Sequence, residues 1–313
     1  MGTLKHVVSF YEFRPQKDLS LAQSKLEKVC IDAGIVGTLL LASEGLNGSL
    51  AHDSRVKLEG VLEHVKTIAD TFDLKVNWST ADPDNVVFHR LKIRIRPEIV
   101  NYGSDMRFDS ERGKHVSPVE WDALISDPNT LVLDVRNTYE TEVGTFQNAK
   151  VSNTRNFREF SDSVVKELGG KKDTPIAMFC TGGIRCEKAS QHLVAQGFEN
   201  VYQLDGGVLN YLRQTPKDRS NWMGECFVFD QRVTVDHSLH QGNYIQCFAC
   251  RHPLSEEDTE SEHYVPAVSC PHCFSSTSDE RKERFSERSK QVALANMRGE
   301  RHIGVNSRQV SEQ

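Results

Sequence analysis

Ten consecutive residues hold most of the reactive chemistry of this chain: Phe179-Cys180-Thr181-Gly182-Gly183-Ile184-Arg185-Cys186-Glu187-Lys188. Apolar residues 176–179 run into them. A helical pattern with Ala189, Leu193 and Val194 runs out of them, to a stop at Gly197. The reading is strand, tight loop, helix, with a cysteine at the carboxyl end of the strand, where open parallel sheets bind their ligands. The two glycines let successive N–H groups turn inward as an anion nest, and the helix adds its positive end. A free thiol ionises near pH 8.5, and helix N-termini and nearby cations lower that value. Each unit of lowering is worth about 1.4 kcal/mol in favour of the thiolate. The loop Thr181, Gly182, Gly183, Ile184, Arg185 and Cys186 therefore predicts a reactive thiolate at Cys180 rather than an inert core thiol. Cys186 falls in the first turn of the helix, where it either resolves a disulfide or packs.

A second cluster follows: Cys247-Phe248-Ala249-Cys250, then Cys270-Pro271-His272-Cys273. Two C-x-x-C pairs at this separation form a zinc signature. Four thiolates close a tetrahedral site and leave no position for substrate, so Cys247, Cys250, Cys270 and Cys273 predict a structural zinc. The alternative is four reduced, unligated thiols.

The third feature is Phe88-His89-Arg90-Leu91-Lys92-Ile93-Arg94-Ile95-Arg96. Read as a strand, it puts Leu91, Ile93 and Ile95 on one face and Arg90, Lys92, Arg94 and Arg96 on the other, with no acid among them. Four like charges at strand spacing repel without a counterion. They suit a phosphate backbone, so RNA is the expected partner; the alternative is a solvated, charge-protected edge.

Elements must position these groups. Residues 5–96 alternate as β-α-β-β-α-β, a ferredoxin-like, acylphosphatase-like α+β plan. Asp18 and Asp53 are the expected helix caps, Ser43–Gly48 is a glycine-bearing turn, and Cys30 lies on a buried helix face. Repeated βα units from 116 to 217 predict a parallel-sheet α/β domain, in which Asp134 and Arg136 form a structural ion pair. The expected division is 1–100, a polar linker 101–115, the α/β domain 116–217, a small zinc-binding region 218–274, and a polar, partly helical tail 275–313. Hydrophobic content of 38% and charged content of 26% suit a soluble globular multi-domain protein. A formal net charge of −6 excludes a globally basic nucleic-acid binder but not a local basic face. No apolar run approaches a membrane span. Without a signal-peptide pattern, eight cysteines predict metal or catalytic use and a cytoplasmic location.

The middle of the chain resembles a rhodanese domain. The resemblance rests on Leu131-Val132-Leu133-Asp134-Val135-Arg136, the Gly144–Ala149 stretch, the Cys180 loop, and Val201–Leu204 with Asp205-Gly206-Gly207. The wider arrangement includes Glu44-Gly45-Leu46-Asn47-Gly48 and the trailing cysteine pairs. It is similar to the bacterial rhodanese-domain tRNA uridine hydroxylases. That resemblance implies oxygen-dependent formation of 5-hydroxyuridine at wobble position 34, molecular oxygen as co-substrate, the tRNA anticodon loop as partner, and Cys180 as the essential residue. The sequence shows no flavin or nicotinamide fingerprint. Two other classes compete. A sulfurtransferase would carry sulfane sulfur as a Cys180 persulfide. A cysteine phosphatase would need C-x5-R, whereas Cys180 to Arg185 is C-x4-R, a narrower cradle.

Overall fold

The computed structural model describes residues 4–103, 110–151, 157–160, 168–170 and 172–299. The N-terminal unit runs β1 (Lys5–Phe13), α1 (Leu19–Asp32), β2 (Val36–Ala42), β3 (Gly45–His52), α2 (Arg55–Ile68), β4 (Lys75–Ala81) and β5 (Leu91–Ile95). Its strand order is β4-β1-β3-β2-β5, antiparallel except for β5, which pairs parallel to β2. The ferredoxin-like expectation holds, with one added edge strand. Alternation along the strands sorts the faces. Val8, Phe10, Leu39, Leu41, Leu50 and Ile93 pack with Leu26, Cys30, Leu58 and Val65 of the two helices. That leaves Ser9, Tyr11, Thr38, Leu40, Asn47, Ser49 and Asn77 on the face that carries no helix.

Local differences from the sequence reading have plain causes. Asp18 caps α1 as expected, but α2 is capped by Ser54, whose hydroxyl reaches the Lys57 N–H, while His52 takes the Ser54 N–H. The expected turn Ser43–Gly48 is only the two residues between β2 and β3, because residues 45–48 pair along both neighbouring strands. The basic strand is shorter at its start. Val87 and Phe88 pack with Val7, Ala51 and Ala81 instead of pairing.

The second unit is a parallel sheet of order β6-β11-β10-β7-β9. Its strands are β6 (Lys114–Val116), β7 (Leu131–Asp134), β9 (Lys150–Val151), β10 (Ile176–Phe179) and β11 (Val201–Leu204). Helices α3 (Pro118–Ile125), α4 (Thr138–Thr141), α5 (Ile184–Ala195) and α6 (Gly207–Gln214) accompany it, and β8 (Gly144–Phe146) pairs with β12 (Trp222–Gly224). Ser117 and Glu120 form the capping box that starts α3. The segment whose composition reads as a linker takes part in the fold: Tyr102 is buried, and β6 edges the sheet. A helix expected over 157–168 lies largely outside the described residues; residues 157–159 form a short 3-10 turn.

The remainder consists of small hairpins, β13 (Cys226–Phe227) with β14 (Thr234–Val235) and β15 (Ile245–Gln246) with β16 (Pro253–Leu254), then α7 (Glu256–Glu260) and α8 (Asp279–Met297). The helical part of the tail is where its pattern predicts. Among the described residues no helix is long and apolar enough to cross a membrane.

Candidate active site

Cys180 directly follows β10, the middle strand of the parallel sheet, and is 1% exposed. Gly183, with φ +99°, turns the loop into α5, and its N–H points at the sulfur at 3.1 Å. A side chain at Gly207 would stand 2.4 Å from the Cys180 carbonyl oxygen, so the neighbouring Gly206-Gly207 turn can lie against the loop only without one. Burial pushes the Cys180 thiol up. The Cys186 thiol, the Arg185 guanidinium and the N–H groups of Arg185 and Cys186 together outweigh it, bringing the pKa down to about 6. Cys186 sits in the first turn of α5 and is fully buried; burial and the neighbouring Cys180 push its own thiol well up. It is thus the protonated partner that stabilises the Cys180 thiolate.

Arg185 does not reach into the cavity as a free cation. Glu140 clamps it through two contacts, Nη1–Oε1 at 2.5 Å and Nη2–Oε2 at 2.8 Å, and Thr181 adds its hydroxyl at 3.2 Å. Sequence reasoning missed Glu140. Its one signal is the Asn137–Glu140 capping pattern, which gives no hint of a buried arginine. Asp134 and Arg136 form the expected structural pair at 2.6 Å, both fully buried, with Thr145 donating to the same carboxylate. The D-x-R spacing recurs at Asp230 and Arg232, again paired at 2.6 Å, and Arg232 also donates to Ser79 Oγ and the Thr80 carbonyl of β4.

The N-terminal unit lies directly on this loop. Tyr11 donates to Glu187 at 3.3 Å, and Asn77 donates to the Gly206 carbonyl at 3.2 Å. Lys188, 2% exposed, meets Glu44 and Glu98, each at 2.8 Å. His115 bridges Glu187 and Asp205, whose carboxylates raise its pKa to about 9. Together these contacts enclose a cavity of about 480 Å³ between the helix-free face of the first sheet and the thiolate loop. Ser9, Tyr11, Asn47, Ser49 and Asn77 line one side, Cys180, Thr181, Gly182, Ile184 and Arg185 the other, with Phe229 also on its lining.

The register places the cations. Lys92 is level with Thr38 and Arg94 with Leu40, so both share the face that lines the cavity, at its β5 edge. Lys92, Arg94 and Arg96 are exposed and Arg90 is half-buried. Arg90 and Arg96 flank the regular strand but continue its ladder: the Arg90 carbonyl accepts from Gly37 and the Arg96 N–H donates to Leu41.

The four thiols of Cys247, Cys250, Cys270 and Cys273 all lie within 4.8 Å of one another. Cys250–Cys270 and Cys270–Cys273 are each separated by 3.7 Å. A tetrahedral zinc with sulfur at 2.3 Å has edges of about 3.8 Å, so the cluster fits the metal in size, donor type and closure. Glu142, His252 and His272 form a second compact group, but His252 pairs with Glu142 at 2.9 Å and His272 with Asp258 at 3.1 Å, and the two rings stack at 3.7 Å. Cys30 and Cys226 are buried and inert, with thiols pushed up to about 11 and about 12 by burial.

Comparison with known families matches two stretches of the chain. Residues 5–99 match the family described as the UPF0176 acylphosphatase-like domain, and residues 117–214 match the rhodanese-like domain. The chain therefore joins a UPF0176 acylphosphatase-like domain to a rhodanese-like domain, with the four-cysteine cluster beyond them. Among solved structures, the rhodanese-like domain of an Anabaena protein is 18% identical, over 35% of this chain and 78% of that one, with a TM-score of 0.29. A rhodanese-related protein from Thermoplasma volcanium is 23% identical, over 33% and 95%, at 0.28. The polysulfide-sulfur transferase homodimer of Wolinella succinogenes is 22% identical, over 33% and 74%, at 0.28.

Proposed function

We propose that this protein is a tRNA-modifying oxidoreductase that hydroxylates the wobble uridine, position 34, to 5-hydroxyuridine, with molecular oxygen as co-substrate and Cys180 as the essential side chain. One observation carries the reading: the Cys180 thiolate lines a cavity whose opposite wall is the polar face of a second domain, edged by Lys92 and Arg94. About 480 Å³ falls within the range of small-molecule sites. An anticodon loop is single-stranded, so a base can be splayed out into such a pocket while cations hold the flanking phosphates. The Gly183 N–H and the Cys186 thiol hold the sulfur as an anion, Glu140 fixes Arg185 beside it, and the polar side chains of β1, β3 and β4 offer partners to the edge of a base. Uridine, O2, two electrons and two protons give 5-hydroxyuridine and water, so the assay includes a thiol reductant. Mass spectrometry of tRNA nucleosides from cells with and without the protein tests the product. Purified Cys180→Ser should give none with tRNA and air; full activity of that variant overturns the assignment.

The second reading is a sulfurtransferase in which Cys180 carries a persulfide. The same low thiol pKa and the Gly183 N–H favour it. Sulfane sulfur transfer to a small acceptor in the absence of RNA, with no change in tRNA nucleosides on deletion, would decide for it.

A further inference from the structure

A second cavity, of about 460 Å³, opens beside the first, lined by Tyr139, Phe227, Phe229, Gln231, Arg251 and His252 among others. Phe229 lines both cavities. It is 62% exposed, an unusual position for a large apolar ring in the lining of an open cleft unless a flat partner covers it. Its loop is not loose: Gln231 donates to the Val87 carbonyl at 3.0 Å, Arg232 is bonded to β4, and the Phe227 ring meets Phe229 edge-on at 5.2 Å. Arg185 lies 5.7 Å from the ring centre on the catalytic side. On the far side, Arg251 projects from the zinc-binding hairpin with, among the described residues, only Gln246 as its polar side-chain partner, and the exposed Phe248 ring lies 5.6 Å from it. Among the described residues none of Arg90, Lys92, Arg94, Arg96 or Arg251 forms an ion pair. Burial and the charges of Arg90, Arg94 and Arg251 lower the Lys92 ammonium pKa, which places Arg251 in the same cationic field as β5. Fixed exposed rings beside unpaired cations are the elements of single-stranded nucleic-acid binding, in which bases stack and the backbone follows the charge.

We propose that the second cavity is a nucleotide subsite of single-stranded RNA, taking the neighbour of the nucleotide that enters the Cys180 cavity. Phe229 is the wedge between the two bases and stacks on the outer one, while Arg251 meets the adjacent phosphate and carries the basic track from β5 onto the zinc-binding lobe. The zinc cluster then has a role beyond stability, because it fixes the hairpin that presents Arg251. This inference rests on RNA being the substrate.

The test measures binding of an anticodon stem–loop RNA to the full chain across a salt series. Phe229→Ala should weaken binding roughly ten-fold, and Phe229→Trp should restore it, since any flat ring can stack. Arg251→Ala should lower the slope of log affinity against log salt by about 0.7, the value for one phosphate on a single strand. Zinc content and thermal midpoint should match the unaltered protein in all three variants, because both side chains are largely outside the core. A 4-thiouridine placed next to the target nucleotide should crosslink to the peptide containing Phe229. If the unaltered protein binds the RNA and Lys92→Ala/Arg94→Ala weakens it, while Phe229→Ala and Arg251→Ala bind as before and no crosslink forms, the subsite is overturned with the RNA reading intact. If the unaltered protein itself does not bind, the RNA reading falls and the subsite with it.

Discussion

Replacing Cys186 by alanine tests the electrostatic account of the active loop. The Cys186 thiol is the foremost of the groups that lower the Cys180 pKa against the opposing effect of burial. Cys186 is itself fully buried, so alanine removes a donor and one sulfur atom without exposing the core. A hydrogen bond to a charged group is worth about 1.5–3 kcal/mol, or about one to two pKa units. From about 6, the Cys180 pKa should rise towards 7–8 in Cys186→Ala. At pH 7 the unaltered loop holds about ten thiolates per thiol; the variant should hold between about one per thiol and one per ten thiols. The assay is the rate of iodoacetamide alkylation at Cys180 against pH, read by mass spectrometry of its peptide. An unchanged midpoint in the variant, or a midpoint near 8.5 in the unaltered protein, refutes the account. The linkage has a definite sign. Because the folded pKa is depressed, between about 6 and the ordinary thiol value the unfolded chain binds the extra proton. Cys180 ionisation thus adds stability as pH rises through that window, and loses it as pH falls towards 6.

Three further outcomes follow from the geometry. Protein prepared without added metal should contain one zinc per chain by elemental analysis, and Cys270→Ser should lose it together with the fold of the region around residues 245–273, because four thiols, three of them buried, close the site. Lys188→Met should lower the unfolding free energy by about 3–5 kcal/mol in denaturant titrations, since it leaves Glu44 and Glu98 without the buried ammonium that joins the two domains; a change under about 1 kcal/mol would mean that the clamp is not structural. His115 has a raised pKa, so its contribution is complete below its ordinary value near 6.5 and is lost as pH rises through about 9. His115→Gln should flatten the stability profile across that window, and an unaltered profile would mean that Glu187 and Asp205 do not hold its proton.

How much of this was legible in the chain depends on sequence distance. The Cys180 loop is local: strand, two glycines and helix are contiguous, so the nest and the position of Cys186 could be read directly. The cysteine pairs were legible because metal geometry fixes ligand spacing, and the phase of Lys92 and Arg94 because strands alternate. What the sequence left undetermined is pairing between distant segments. Glu140 meets Arg185 across 45 positions, and Lys188 meets Glu44 and Glu98 across more, because parallel crossovers and domain contact bring them together. Phe229 reads as one residue of a short hairpin; only the docking of that hairpin on β4 sets it between two cavities. The polar stripe of Ser9, Asn47, Ser49 and Asn77 on the first sheet forms only once its strands are paired. That this stripe faces the thiolate, and so gives the sulfur something to act on, was decided by how the two domains pack, since burying Tyr11, Glu187 and Lys188 between them leaves a cavity where side chains of neither surface can fill the space.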